Sequence, residues 1–217
     1  MIPWIGPHEA FPDVEKALTD PNGLLAASPI LHAHQLIDAY RHGIFPWYSD
    51  DEPIVWWSPD PRLVLRPADF KVSRSLRKRI QQIVADSSVT LDIDHDFGEV
   101  MRQCAAPRLK QDGTWITPQI QRAYGDLHQQ GLAHSVEMRV NGELVGGLYG
   151  VALGRMFYGE SMFARQADAS KIALATLVQL LQREKVPLID CQQETPHLKS
   201  LGAHIMSRAD FCRHVRT

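Results

Sequence analysis

AHSVEMRVNGELVGGLYGVALGRMFYGESMF, residues 133–163, decides the fold. Ala133–Val140 reads as a strand, Asn141-Gly142 as a two-residue hairpin turn, and Leu144–Leu153 as the returning strand. Asn and Gly suit that turn because both tolerate the positive φ it requires. Gly154 and Arg155 lead into a third extended run, Met156–Gly159, which continues as Glu160-Ser-Met-Phe163. Gly146-Gly147 and Gly150 interrupt the strand signal, where a bulge or a close backbone approach is the usual reason.

Toward the C-terminus, Ser170–Arg183 is the strongest helix signal. Ile172, Leu174, Leu177, Val178 and Leu181 make a broad apolar face, and Asp168 or Ser170 is the expected cap. A strand over Val186–Cys191 follows a turn at Glu184-Lys185, and from Pro196 onward the spacing predicts a short helix, a brief strand and a tail helix. Toward the N-terminus, Thr117-Pro118 starts a helix that reaches Gly131. Val89–Ile93 alternates as a strand, with Asp94 or Asp96 capping a helix after it. Helices are also predicted over Ser73–Ala85 and Ala33–Arg41, and a short strand over Leu63-Val-Leu. Helices, a strand meander, a helix and a strand make an α/β (α+β) protein, a mixed sheet flanked by helices.

The 217 residues are 44% hydrophobic and 22% charged, ordinary for a folded chain, and no apolar run is long enough for a membrane span. The N-terminal MIPWIGPHEAFPD has neither a basic start nor an apolar core, so no secretory signal is expected. Three scattered cysteines, Cys104, Cys191 and Cys212, give no disulfide framework and fit a reducing compartment.

Charge is unevenly spread. Residues 1–61 hold nine acids and two bases, whereas 62–217 hold sixteen acids and twenty-one bases. The bases are densest from Arg62 to Ala85, with Arg62, Arg66, Lys71, Arg74, Arg77, Lys78 and Arg79 against Asp69. This is either a solvated helix face or a surface for phosphates. The first sixty residues are dense in turn signals and contain four of the five tryptophans. Those rings either fill a small core or line a cleft for a flat ligand.

Asp190 and Gln192, at i and i+2 on an apolar strand, should share one face, and an aspartate there needs a partner. Asp190 is then either a buried structural group or a site carboxylate. Glu160, between an apolar strand and Met162-Phe163, poses the same question, and burial would raise its pKa. The two acids, with Gln192, could face one pocket. His32-x-His34, His128 and His134 lack further ligands at metal spacing, so no zinc site is expected. Ser161 lacks a nucleophile elbow, Cys191 reads as a core thiol, and no GxGxxG or Walker pattern occurs.

Nine motifs stand in order: Gly43-Ile-Phe-Pro-Trp47, Trp56-Trp-Ser-Pro-Asp-Pro-Arg62, Gly113-Thr-Trp-Ile-Thr117, His134-Ser-Val-Glu137, Gly146-Gly-Leu-Tyr-Gly150, Gly159-Glu-Ser-Met-Phe163, Ala169-Ser-Lys171, Leu188-Ile-Asp-Cys-Gln192 and Ser200-Leu-Gly-Ala203. Together they resemble the bacterial leucyl/phenylalanyl-tRNA–protein transferase family over about Pro21–Phe211. One departure is Ala27–Leu31, where many members carry a glycine-rich segment.

The resemblance implies a small N-terminal domain, residues 1–61, and a catalytic domain of acetyltransferase-like (GNAT) fold, residues 62–217. It implies transfer of leucine or phenylalanine, and methionine less well, from aminoacyl-tRNA to proteins beginning with arginine or lysine. The product enters N-degron degradation. A cytoplasmic monomer with no cofactor and no metal is expected. By the same resemblance Asp190 and Gln192 form a catalytic pair, with Glu160 at the substrate end. Trp47, Trp115 and Tyr124 meet substrate and the tRNA end, and Met162, Leu174, Leu177 and Ile189 line the amino-acid pocket. The basic run, Arg74, Arg77, Lys78 and Arg79, is expected on the tRNA backbone. An acyl-CoA-dependent N-acetyltransferase and a non-catalytic tRNA-binding domain are the alternatives.

Overall fold

The computed structural model describes residues 2–49, 52–106 and 114–216. The N-terminal part contributes β1 (Leu24–Ser28), α1 (Ala33–Arg41), β2 (Phe45–Pro46) and β3 (Ile54–Trp57). β3 pairs antiparallel with both β1 and β2, giving a sheet of order β1-β3-β2. There follow β4 (Arg62–Leu65), α2 (Arg74–Val84), β5 (Val89–Ile93), α3 (Phe97–Ala105), α4 (Pro118–Gln129), β6 (Ala133–Val140), β7 (Glu143–Leu153) and β8 (Met156–Ala164). The chain ends with α5 (Ala169–Arg183), β9 (Leu188–Gln192), α6 (Pro196–Ser200), β10 (His204–Met206) and α7 (Arg208–Val215).

The larger sheet has the order β10-β4-β9-β8-β7-β6-β5. Its pairings are antiparallel except β8 with β9, where α5 makes the crossover a parallel pair requires. This is the mixed sheet flanked by helices that the sequence predicts.

Strand alternation sorts side chains onto two covered faces. Val64, Tyr149, Tyr158 and Leu188 join one core with α1, α3 and α4 and the small sheet. Their chain neighbours Leu63, Leu65, Leu148, Phe157 and Ile189 join the other, under Leu174, Leu177, Val178 and Leu181 of α5. Gly146 lets α5 approach β7, since a Cβ there would lie 2.4 Å from that of Ala169.

Local chemistry sets most boundaries. Thr117 caps α4 with Pro118 at its first position, Ser73 caps α2 and Asp96 caps α3, each through a side-chain oxygen. α5 differs from expectation. Asp168 occupies the N-cap at φ 63° but makes no side-chain cap, its carboxylate instead binding Lys171 Nζ at 2.8 Å. No helix among the described residues is long and apolar enough to cross a membrane.

Candidate active site

The site forms where β8 and β9 part. Their parallel pairing ends at Tyr158–Asp190, while β8 runs on to Ala164 beside β7. Two bulges sit at this point. Tyr149 opposes Ser161 and Gly150 opposes Gly159, which leaves Glu160 as the extra residue of β8. Leu63 opposes Gln192 and Val64 opposes Asp190, which leaves Cys191 as the extra residue of β9. A bulge re-aims the strand that carries it. Gly150 permits the first one, since a Cβ there would lie 2.3 Å from the Tyr158 carbonyl oxygen.

Glu160 and Asp190 therefore meet different surroundings. Asp190 is fully buried. Its Oδ1 accepts from Arg62 Nε at 2.8 Å and its Oδ2 from Arg62 Nη2 at 2.6 Å. Oδ1 also accepts from the Gln192 backbone N–H at 2.8 Å. Glu160, partly exposed, accepts from Tyr40 Oη at 2.7 Å, Tyr124 Oη at 3.0 Å and Gln192 Nε2 at 3.0 Å. Its pKa is pushed up to about 7, chiefly by desolvation.

Asp190 and Gln192 were expected to act together through their side chains. Gln192 lies at φ 61°, so extended alternation does not carry through to it. Its side chain turns to Glu160, and Asp190 reaches it through the backbone amide. Cys191 lines the cavity rather than lying wholly within the core, and burial raises its thiol pKa.

A cavity of about 440 Å³ opens at this parting of the strands. Leu65, Leu148, Phe157, Met162, Leu174, Leu177, Ile189 and Leu198 supply its apolar wall, and Glu160, Asp190 and Gln192 its polar end. Trp47 and Trp115 also line it, and Trp47 is 43% exposed, unusual for a large ring. The Trp57 indole N–H donates to the Trp47 carbonyl at 2.7 Å, which fixes the backbone beneath that ring. Gly113, which opens the Trp115 motif, lies outside the described residues.

Tyr124, expected at the tRNA end, has no exposed surface, and its hydroxyl donates to Glu160 Oε2. Arg62 was grouped with the basic run for phosphates, yet it is buried against Asp190, between the rings of Phe45 and Phe211. Arg74, Arg77, Lys78 and Arg79 are exposed on α2, outside the cavity lining. α2 packs by Leu76 and Ile83 against Met138, Val145, Ala169 and Ile172.

Tyr40 is a site residue that sequence reading missed. Beside Leu36 and Ile37 it reads as core, and its hydroxyl meets Glu160 only through the tertiary fold. The Arg62–Asp190 pair had a signal, since each is a charge beside an apolar strand segment and each needs a partner. Among the described residues no group of three or more His, Cys, Asp or Glu is placed to hold a metal ion.

A carboxyl group that titrates near neutrality can take a proton from an amine whose own pKa is about 7.7–8.0. Set at the polar end of an apolar cavity, it suits an enzyme that joins an amine to an activated acyl group. The family model "leucyl/phenylalanyl-tRNA protein transferase" matches residues 64–216, and the model of that family's N-terminal domain matches residues 30–60. The leucyl/phenylalanyl-tRNA–protein transferase of Paraburkholderia xenovorans (strain LB400) is 56% identical, over 100% of this chain and 90% of that one. That of Burkholderia vietnamiensis (strain G4 / LMG 22486) is 57% identical, over 100% and 87%. Among solved structures, that of FemX superposes with a TM-score of 0.51 at 9% identity, covering 76% of this chain and 64% of that one, a likeness of fold. The chain belongs to the leucyl/phenylalanyl-tRNA–protein transferase family.

Proposed function

We propose that the enzyme moves leucine or phenylalanine, and methionine less well, from aminoacyl-tRNA onto the N-terminal arginine or lysine of a protein. The new peptide bond marks the product for N-degron degradation. The enzyme works in the cytoplasm as a monomer, with residues 1–61 as a small domain and 62–217 as the catalytic one. An aminoacyl ester is already activated, so the reaction needs no cofactor.

The observation that carries this reading is the apolar cavity closed at one end by Glu160 and Gln192. Met162, Leu174, Leu177 and Ile189 suit a Leu or Phe side chain and penalise a charged one. Glu160 accepts a proton from the acceptor's α-ammonium group, and Gln192 orients the amine. Asp190, whose oxygens are already engaged, is a positioning residue that holds Arg62 and the Gln192 backbone. Exposed Trp47, with Trp115, offers stacking surface to the terminal bases of tRNA. Arg74, Arg77, Lys78 and Arg79 bind its backbone.

The test is transfer of radiolabelled phenylalanine from charged tRNA to a peptide beginning with arginine, beside the same peptide beginning with aspartate. Transfer to the first alone is expected. Equal transfer to both, or to neither, contradicts the reading.

A further inference from the structure

Three oxygen–oxygen contacts close a triangle beneath the cavity. Tyr40 Oη lies 2.7 Å from Glu160 Oε1, Tyr124 Oη lies 3.0 Å from Glu160 Oε2, and the two hydroxyls lie 2.5 Å apart. Each contact needs one proton. With Glu160 ionised, the two hydroxyls bring one proton each, and three contacts share two. One pair of oxygens then meets lone pair to lone pair, a costly arrangement beside two hydroxyls with no exposed surface. A third proton satisfies all three contacts around the ring, Glu160 to Tyr124, Tyr124 to Tyr40, and Tyr40 back to Glu160.

We propose that Tyr40, Tyr124 and Glu160 hold one exchangeable proton in common, in a closed ring of three hydrogen bonds, and that both tyrosines are positioning residues for proton removal from the acceptor amine. The proposal rests on the reading of Glu160 as proton acceptor. Tyr40 and Tyr124 have no exposed surface, whereas Glu160 lines the cavity, so the amine meets the ring only at Glu160. The groups facing Glu160 are Tyr40 of α1, Tyr124 of α4, Tyr149 of β7, Gln192 and Asp190 of β9, and Arg62 of β4. Asp190 and Arg62 are bound to each other, and the Tyr149 hydroxyl has no hydrogen-bond partner among the described residues.

The proton balance is complete. The α-ammonium group gives one proton to the ring. The freed lone pair forms the C–N bond at the ester carbonyl carbon, and the bond from that carbon to the ribose oxygen breaks. The leaving oxygen takes the second proton from nitrogen, and the ring returns its proton to solvent.

The sign of a pKa shift tests the ring. If Tyr40 is only a donor to the carboxylate, Tyr40→Phe removes stabilisation of the charged form and raises the Glu160 pKa. If the ring holds, Tyr40→Phe leaves one hydroxyl for one contact when Glu160 is ionised, and one proton too many when it is neutral. The pKa then falls, and Tyr124→Phe acts in the same direction. The Glu160 carboxyl is followed by carbon-13 NMR in the full chain and assigned by its loss in Glu160→Gln. Single-turnover transfer is measured over the same pH range. A wild-type midpoint near neutrality, lowered by roughly one unit in each variant, is expected, with the pH limb of transfer moving alike. A wild-type midpoint in the ordinary glutamate range overturns the ring, as does an upward or absent shift in whichever variant folds. If the midpoint falls but the wild type transfers nothing, the ring stands and the proposed function fails. Transfer with an upward shift does the reverse.

Discussion

Arg62 and Asp190, 128 positions apart, are joined by two hydrogen bonds of 2.8 and 2.6 Å, with the guanidinium carbon 4.5 Å from the Phe45 ring centre and 4.6 Å from that of Phe211. Arg62 Nη1 also donates to the Gly43 carbonyl at 3.2 Å. One buried pair thus ties β4 to β9, to the chain before β2 and to α7. Removing one partner leaves a charge buried without its counterpart, at a cost of about 3–5 kcal/mol. Arg62→Met and Asp190→Leu should each cost that much in urea unfolding, and the double variant much less than their sum. Single variants within about 1 kcal/mol of wild type would show that the pair is dispensable.

Stability should also depend on pH through Glu160. Its folded-state pKa, about 7, lies above its ordinary value, 4.5, so the folded state holds the proton more tightly. The resulting stabilisation is full below the ordinary value and is lost as pH rises through about 7. Over that window wild type should lose on the order of 3 kcal/mol relative to Glu160→Gln. Denaturant unfolding of both proteins across the window checks this, and parallel curves would contradict it.

Cavity shape should set donor choice. Leu177 is buried and lines the cavity from α5. Leu177→Ala opens room for a ring, so the ratio of phenylalanine to leucine transfer should rise by roughly tenfold. A stability loss of about 2–5 kcal/mol accompanies it. An unchanged ratio from the two charged tRNAs would remove Leu177 from the pocket's specificity.

Neutral replacement of Arg74, Arg77, Lys78 and Arg79 should weaken tRNA binding and flatten its salt dependence. For every phosphate no longer neutralised, the log–log slope should fall by about 0.7–0.9. An unchanged slope would assign the α2 bases to solvation.

Most strands and helices beyond residue 61 were legible because their signals are local. The Asn141-Gly142 turn, the Thr117-Pro118 start and the α5 apolar face needed no tertiary partner, and α1 and β6 run over the predicted residues. β1 and β3 were not legible. Their strands are short, lie among prolines, and are defined by pairing with each other. Met162, Leu174, Leu177 and Ile189 were named from the family resemblance, but Leu65, Leu148, Phe157 and Leu198, which line the same cavity, were not, nor was the way Glu160 and Asp190 divide their parts. That depends on two strand bulges and on a hydroxyl from α1, none of which leaves a periodic mark in the sequence.

If Glu160 accepts the amine proton, single-turnover transfer from phenylalanyl-tRNA to an arginine-led peptide, with both substrates saturating, should be slower in Glu160→Gln than in wild type by about 10²-fold or more. Affinity for charged tRNA should be unchanged, and the rate should partly recover above the pKa of the amine, where the acceptor is already neutral. A near-normal rate at neutral pH in a folded Glu160→Gln protein would contradict that role.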